Sequence, residues 1–76
     1  MNLFDLQIGE KCLINKIEIN GSMRRRLLDL GLTPDTTVEC VGKSPLGDPK
    51  AYLIRGAVIA LRCKDCRKIR IKKVLS

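Results

Sequence analysis

Four cysteines, eight carboxylates and a run of three arginines are the side chains of this 76-residue chain best placed to do chemistry. Two of the thiols form the motif Cys63-Lys64-Asp65-Cys66, a spacing that can hold a metal ion or cycle as a redox couple. A tetrahedral zinc site wants four ligands, however, and the chain has no histidine to complete the set. Cys12 and Cys40 alternate with apolar neighbours and read as small core residues. A thioredoxin-type couple wants a βαβ scaffold, which this pattern does not provide. No metal site is therefore expected, with Cys63 and Cys66 the candidates for one if it exists. Lys64, Arg67 and Lys68 beside them would lower a thiolate pKa and leave the pair open to oxidation or incidental metal capture. The carboxylates (Asp5, Glu10, Glu18, Asp29, Asp35, Glu39, Asp48, Asp65) are scattered, and no serine or cysteine has an identifiable base. The expectation is a protein that is not an enzyme, with no cofactor and no small-molecule substrate.

Charge points to a macromolecular partner instead. Fifteen basic against eight acidic residues give a net +7. Seven of the basic ones (Arg62, Lys64, Arg67, Lys68, Arg70, Lys72, Lys73) crowd one segment against Asp65 alone, and Arg24-Arg25-Arg26 form a second cluster. Such a balance fits nucleic acid, an anionic membrane surface or an acidic protein face. It fits equally a solvated strand, because Ile69 and Ile71 alternate with the basic residues. Phe4 and Tyr52 are the whole aromatic complement. Base stacking would have little to work with, so a nucleic-acid-binding barrel is the weaker reading. No apolar run approaches the ~20 residues of a membrane span, and the first residues lack a basic, apolar secretory signal. A cytoplasmic protein with reduced cysteines and no membrane insertion is expected.

The elements that must position these residues are short. Leu3 to Ile8 is an apolar lead-in. Lys11 to Ile19 reads as a strand, with a slip of phase between Ile14 and Ile17 that predicts a bulge at Asn15-Lys16. Asn20-Gly21 signals a turn. Ser22 then caps the one convincing helix, about two and a half turns long. Its apolar stripe is Met23, Leu27 and Leu30, expected to face inward. Gly31 ends it in the left-handed conformation with Leu32 reaching back to Leu27, and Pro34 forbids continuation. Strands follow at Thr36–Lys43, Ala51–Arg55, Val58–Cys63 and Ile69–Leu75. A tight reversal at Gly56 and a turn at Lys64–Lys68 separate the last three. Five short strands cannot make a stable open sheet at this length, so a small closed or nearly closed barrel, mostly β, is expected over residues 1–76 as one domain.

The helix breaks a local rule. Three arginines occupy its first turn, where the helix dipole disfavours positive charge. Asp29 can pair with Arg25 or Arg26, but an exposed pair contributes only about 0.2–0.5 kcal/mol. Arg24, Arg25 and Arg26 with the apolar Leu28 are thus candidates for a partner-binding patch. The loop Ser44-Pro45-Leu46-Gly47-Asp48-Pro49 fails as a phosphate cradle, having one glycine, two prolines and no following helix. It reads as a rigid loop whose Pro45, Leu46, Gly47 and Asp48 could add to a docking surface.

Two stretches together are similar to a known family. Met23-Arg-Arg-Arg-Leu-Leu-Asp-Leu-Gly-Leu-Thr-Pro34, then Val38-Glu-Cys-Val and Ser44-Pro-Leu-Gly-Asp-Pro49, resemble the FeoA family, ferrous iron transport protein A. Ile54-Arg-Gly56 and Ile59-Ala-Leu-Arg62 look like its closing strands. The resemblance implies an SH3-like small barrel in the cytoplasm. It also implies a role beside FeoB, the GTPase-coupled permease for Fe²⁺, with that transporter's cytosolic part as partner. Similar domains also end metal-dependent repressors, so the fold alone does not choose the partner. Cys63 and Cys66 depart from the family pattern, which more often has a charged residue and a small one there.

Overall fold

A computed structural model describes residues 1–75. Its alternating segments form five strands: β1 Lys11–Ile17, β2 Thr37–Lys43, β3 Lys50–Ile54, β4 Ala57–Leu61 and β5 Ile69–Val74. Two helices, α1 Ser22–Asp29 and the single turn α2 Cys63–Cys66, join them, and a 3₁₀ turn spans Leu3–Asp5. Every pairing is antiparallel, in the order β4-β3-β2-β1-β5. Cys12 and Leu13 pair with β2 on one side and with β5 on the other, so β1 is an interior strand of the sheet. One face of each strand reaches a single core that includes Ile14, Val38, Cys40, Tyr52, Ile54 and Ile69. The result is the small, mostly β barrel the pattern calls for. β4 and β5 do not pair with each other; α2 spans the gap and buries Cys66 in the core.

The register of β1 carries the expected irregularity. Pairing with β5 shifts on either side of Ile14, leaving Asn15 as the extra residue, and this restores both Ile14 and Ile17 to the inward face. The strand ends at Ile17 rather than Ile19, although Ile19 is still buried beyond it. β4 likewise stops short of Cys63, which starts α2. The apolar lead-in is a plug. Asn2 accepts a hydrogen bond from Phe4 N–H, Asp5 accepts one from Asn2 N–H, and Leu3 and Leu6 are fully buried. Tyr52, one of the two aromatics, lies fully buried beneath this plug and donates its hydroxyl to Leu3 O at 3.2 Å.

The α1 helix corrects two expectations. Ser22 is its first helical residue and not its cap; the N-cap is Gly21, with φ 78° and no side chain to offer a bond. Leu30 is not an inward residue either. It sits at the C-cap, 36% exposed, because the helix is ending there, so Leu27 is the residue that α1 buries. The C-terminus follows expectation in detail. Leu32 N–H donates to Leu27 O at 2.9 Å, Gly31 N–H donates to Leu28 O at 3.0 Å, and Gly31 has φ 98°.

Candidate protein-docking site

The outward side of α1 is a functional candidate that the fold leaves open. Gly21, Arg24, Arg25, Leu28 and Asp29 line a shallow depression of about 340 Å³. Arg24 is anchored there: its Nη1 donates to Ile17 O at 2.6 Å, closing the end of β1. Arg25 is exposed beside it and Leu28 is 37% exposed. The pairing of Asp29 with Arg25 or Arg26 does not form. Among the described residues the ion pairs are Lys16–Glu18, Arg70–Glu18 and Lys72–Asp35. Arg26 leaves the triplet and turns to the other flank, where it lines a smaller hollow with Met23, Leu30 and Ile59. The three arginines are therefore two groups, Arg24 with Arg25 on the outer face and Arg26 toward β4. Gly21, recognised from sequence only as a turn residue, also lines the outer depression, where its φ of 78° starts the helix.

The Ser44–Pro49 loop is cross-braced by its own hydrogen bonds, and it lies elsewhere. Ser44 Oγ donates to Asp48 O at 2.7 Å and accepts from Asp48 N–H at 3.2 Å, while Gly47 N–H donates to Ser44 O at 2.8 Å. Asp48 Oδ1 accepts the Cys63 N–H at 3.1 Å, so a carboxylate 15 residues earlier caps α2. Cys63 Sγ donates weakly to Gly47 O at 3.4 Å. Gly47 and Asp48 thus serve the fold, and the exposed tip is Pro45 with Leu46, which is 94% exposed. None of these loop residues lines the α1 depression, so the expected surfaces are two patches and not one groove.

The cysteine pair is set as structure. Cys63 and Cys66 are both buried. Burial pushes the Cys66 thiol up to about 11, and burial followed by the Asp48 charge raises that of Cys63. The expected lowering by Lys64, Arg67 and Lys68 does not occur. Arg67 does pull the Cys63 thiol down but is outweighed, and its guanidinium lies 4.6 Å from the Phe4 ring centroid. Among the described residues no three Cys, Asp or Glu side chains converge as a metal site would require. The basic C-terminal segment is also partly spent within the fold. Arg70 Nε meets Glu18 Oε1 at 2.7 Å, holding that carboxyl below its usual range, and Lys72 Nζ meets Asp35 Oδ1 at 2.7 Å.

The family model for the FeoA domain matches residues 1–73. The chain belongs to the FeoA domain family. This FeoA domain is 33% identical over all its 76 residues to an Fe(2+) transport protein A/Fe(2+) transporter FeoB fusion protein of Porphyromonas gingivalis, of whose length it spans 9%. It superimposes on the solution structure of the Chlorobium tepidum FeoA protein with a TM-score of 0.93, at 28% identity, covering 100% of this chain and 71% of that one. A crystal structure of Stenotrophomonas maltophilia FeoA with zinc, described as a prokaryotic SH3 domain protein, gives a TM-score of 0.83 at 24% identity. It covers 95% of this chain and 89% of that one, and it supports the SH3-like assignment of the fold. No helix among the described residues of this FeoA domain is long and apolar enough to cross a membrane.

Proposed function

We propose that this FeoA domain is a non-enzymatic accessory of Fe²⁺ uptake that docks on the cytosolic part of a FeoB-like transporter. The observation that carries the reading is Arg25 beside Leu28 in the α1 depression, a cation without an ion pair among the described residues next to an exposed apolar side chain. A guanidinium can meet a carboxylate through two parallel bonds, and an apolar neighbour excludes water from that contact. Arg24, pinned to Ile17 O, keeps the patch in shape and adds charge. The Pro45-Leu46 tip is a second contact, held out by the Ser44–Asp48 bonds. The fusion of the two proteins in Porphyromonas gingivalis supports this choice of partner, since fusion keeps two domains at high local concentration.

The mechanism needs no chemistry from the barrel. Docking favours whichever conformation of the transporter presents the matching acidic surface, and the populations shift by the difference in affinity. The protein works in the cytoplasm, where that surface lies. A pull-down against detergent-solubilised FeoB tests the reading. The wild-type chain is retained, and a chain carrying Arg25→Glu with Leu28→Ser is lost; equal retention of both removes the interface.

A further inference from the structure

The two edges of the sheet are treated differently. The β5 edge is protected: Ile71 N–H donates to Met1 O at 3.2 Å, Asn2 bridges to Arg70, and the strand carries Arg70, Lys72 and Lys73. The other edge, β4, lacks the defences that sequence and register can supply. Its sequence Ala57-Val58-Ile59-Ala60-Leu61 holds no charge and no proline, and its pairing with β3 runs without a bulge.

The hydrogen-bonding sense of β4 follows from its turn. Arg55 and Gly56, with φ 48° and 83°, form a two-residue reversal of the mirror-image type, so the flanking pair Ile54–Ala57 exchanges both backbone bonds. Alternation then gives bonds to Tyr52–Ile59 and Lys50–Leu61, and turns the N–H and C=O of Val58 and Ala60 away from β3. Among the described residues no other backbone group meets them. Alongside this edge runs α1. Between the two lies a hollow of about 100 Å³, with Met23, Leu27, Leu30 and Ile59 as its apolar walls. Arg26 and Arg62 stand on it, with Asp65 beside them.

We propose that the β4 edge is a strand-addition site for an extended peptide segment carrying an aliphatic residue flanked by acidic ones. The segment pairs with the outward backbone groups of Val58 and Ala60, seats its aliphatic side chain in the hollow, and places its carboxylates near Arg26 and Arg62. A second copy of the chain is the poorer occupant, because two molecules of net charge +7 would meet with Arg62 near the pairing edge of each. This surface lies on the opposite flank of α1 from Arg25, and it stands or falls separately from the docking face above.

The test is titration of the ¹⁵N-labelled chain with a short acetylated and amidated peptide that has leucine at its centre, valines beside it and glutamates outside them. The Val58 and Ala60 amide signals shift on binding, and their exchange with solvent slows about tenfold or more. Replacing the glutamates by lysines weakens binding about tenfold. Ala60→Pro removes an outward N–H without removing a β3 bond, and it abolishes binding while the remaining spectrum keeps its dispersion. Should that variant unfold, Leu30→Glu sets a like charge against the peptide on the helix side and has the same effect. Shifts confined to other residues, equal binding of the lysine peptide, or Val58 and Ala60 amides already protected through self-association would each overturn the proposal.

Discussion

Arg55 Nε donates to the carbonyl oxygen of Gly31 at 3.1 Å, and a side chain on Gly31 would collide with that same arginine, its Cβ falling 2.7 Å from Arg55 Nε. The end of α1 and the β3–β4 reversal are thus fitted to each other. Arg55 adopts a left-handed backbone (φ 48°), uncommon for a branched or long side chain, and its guanidinium reaches across to the helix terminus. Gly31→Ala meets two penalties at once, a left-handed alanine (φ 98°) and displacement of Arg55. A loss of about 1–3 kcal/mol is expected, read from the urea midpoint. In an Arg55→Ala background the same substitution costs measurably less, since the collision is gone. Equal costs in both backgrounds would refute the coupling.

Asp48 joins the loop to α2 through one backbone bond to Cys63. Asp48→Ala should cost about 1 kcal/mol, as for other lost caps, and Asp48→Asn should recover most of it. The loop also shields Cys63, whose thiol rests on Gly47 O. Alkylation of Cys63 by iodoacetamide at neutral pH is therefore expected to quicken in Asp48→Ala, with Cys66 still protected in the core. Unchanged reactivity would mean the loop does not depend on that carboxylate.

Alkaline pH should weaken the fold through its buried thiols. Burial raises Cys12 and Cys66 from 9.0 to about 11, so the folded state holds these protons more tightly than the unfolded chain does. Their contribution is intact below about pH 9 and declines as pH rises toward 11. The slope is at most about 1.4 kcal/mol per pH unit for each thiol. Urea midpoints of wild type and Cys66→Ala between pH 8 and 10.5 read it out, and the variant should show the shallower decline. Parallel declines would show that Cys66 does not titrate differently on unfolding.

Much of this architecture was legible because it is local. The slip between Ile14 and Ile17, the Gly31-Leu32 helix end and the Gly56 reversal are each specified by neighbours in the chain, and each stands where the pattern puts it. Contacts across the fold were not legible. Nothing local tells Arg24 to close β1 at Ile17 or Asp48 to cap Cys63; the separate flank of Arg26, by contrast, already follows from 3.6 residues per turn. Leu30 misled for a related reason: helical spacing places it inward, but the helix stops before that face closes over it. The thiols misled as well. Lys64, Arg67 and Lys68 are close in sequence, yet burial and Asp48 dominate at Cys63.

The central claim is that Arg25 and Leu28 form a handle for a transporter of the FeoB kind, and equilibrium binding to purified full-length FeoB tests it most directly. Fluorescence anisotropy of the labelled chain should show saturable binding that weakens with added salt, as an exposed charged contact requires. The Arg25→Glu, Leu28→Ser chain should bind at least about tenfold more weakly, with its urea midpoint within about 0.5 kcal/mol of wild type because both side chains are exposed. Binding of equal strength by the two chains, or none by the wild type, would contradict the account.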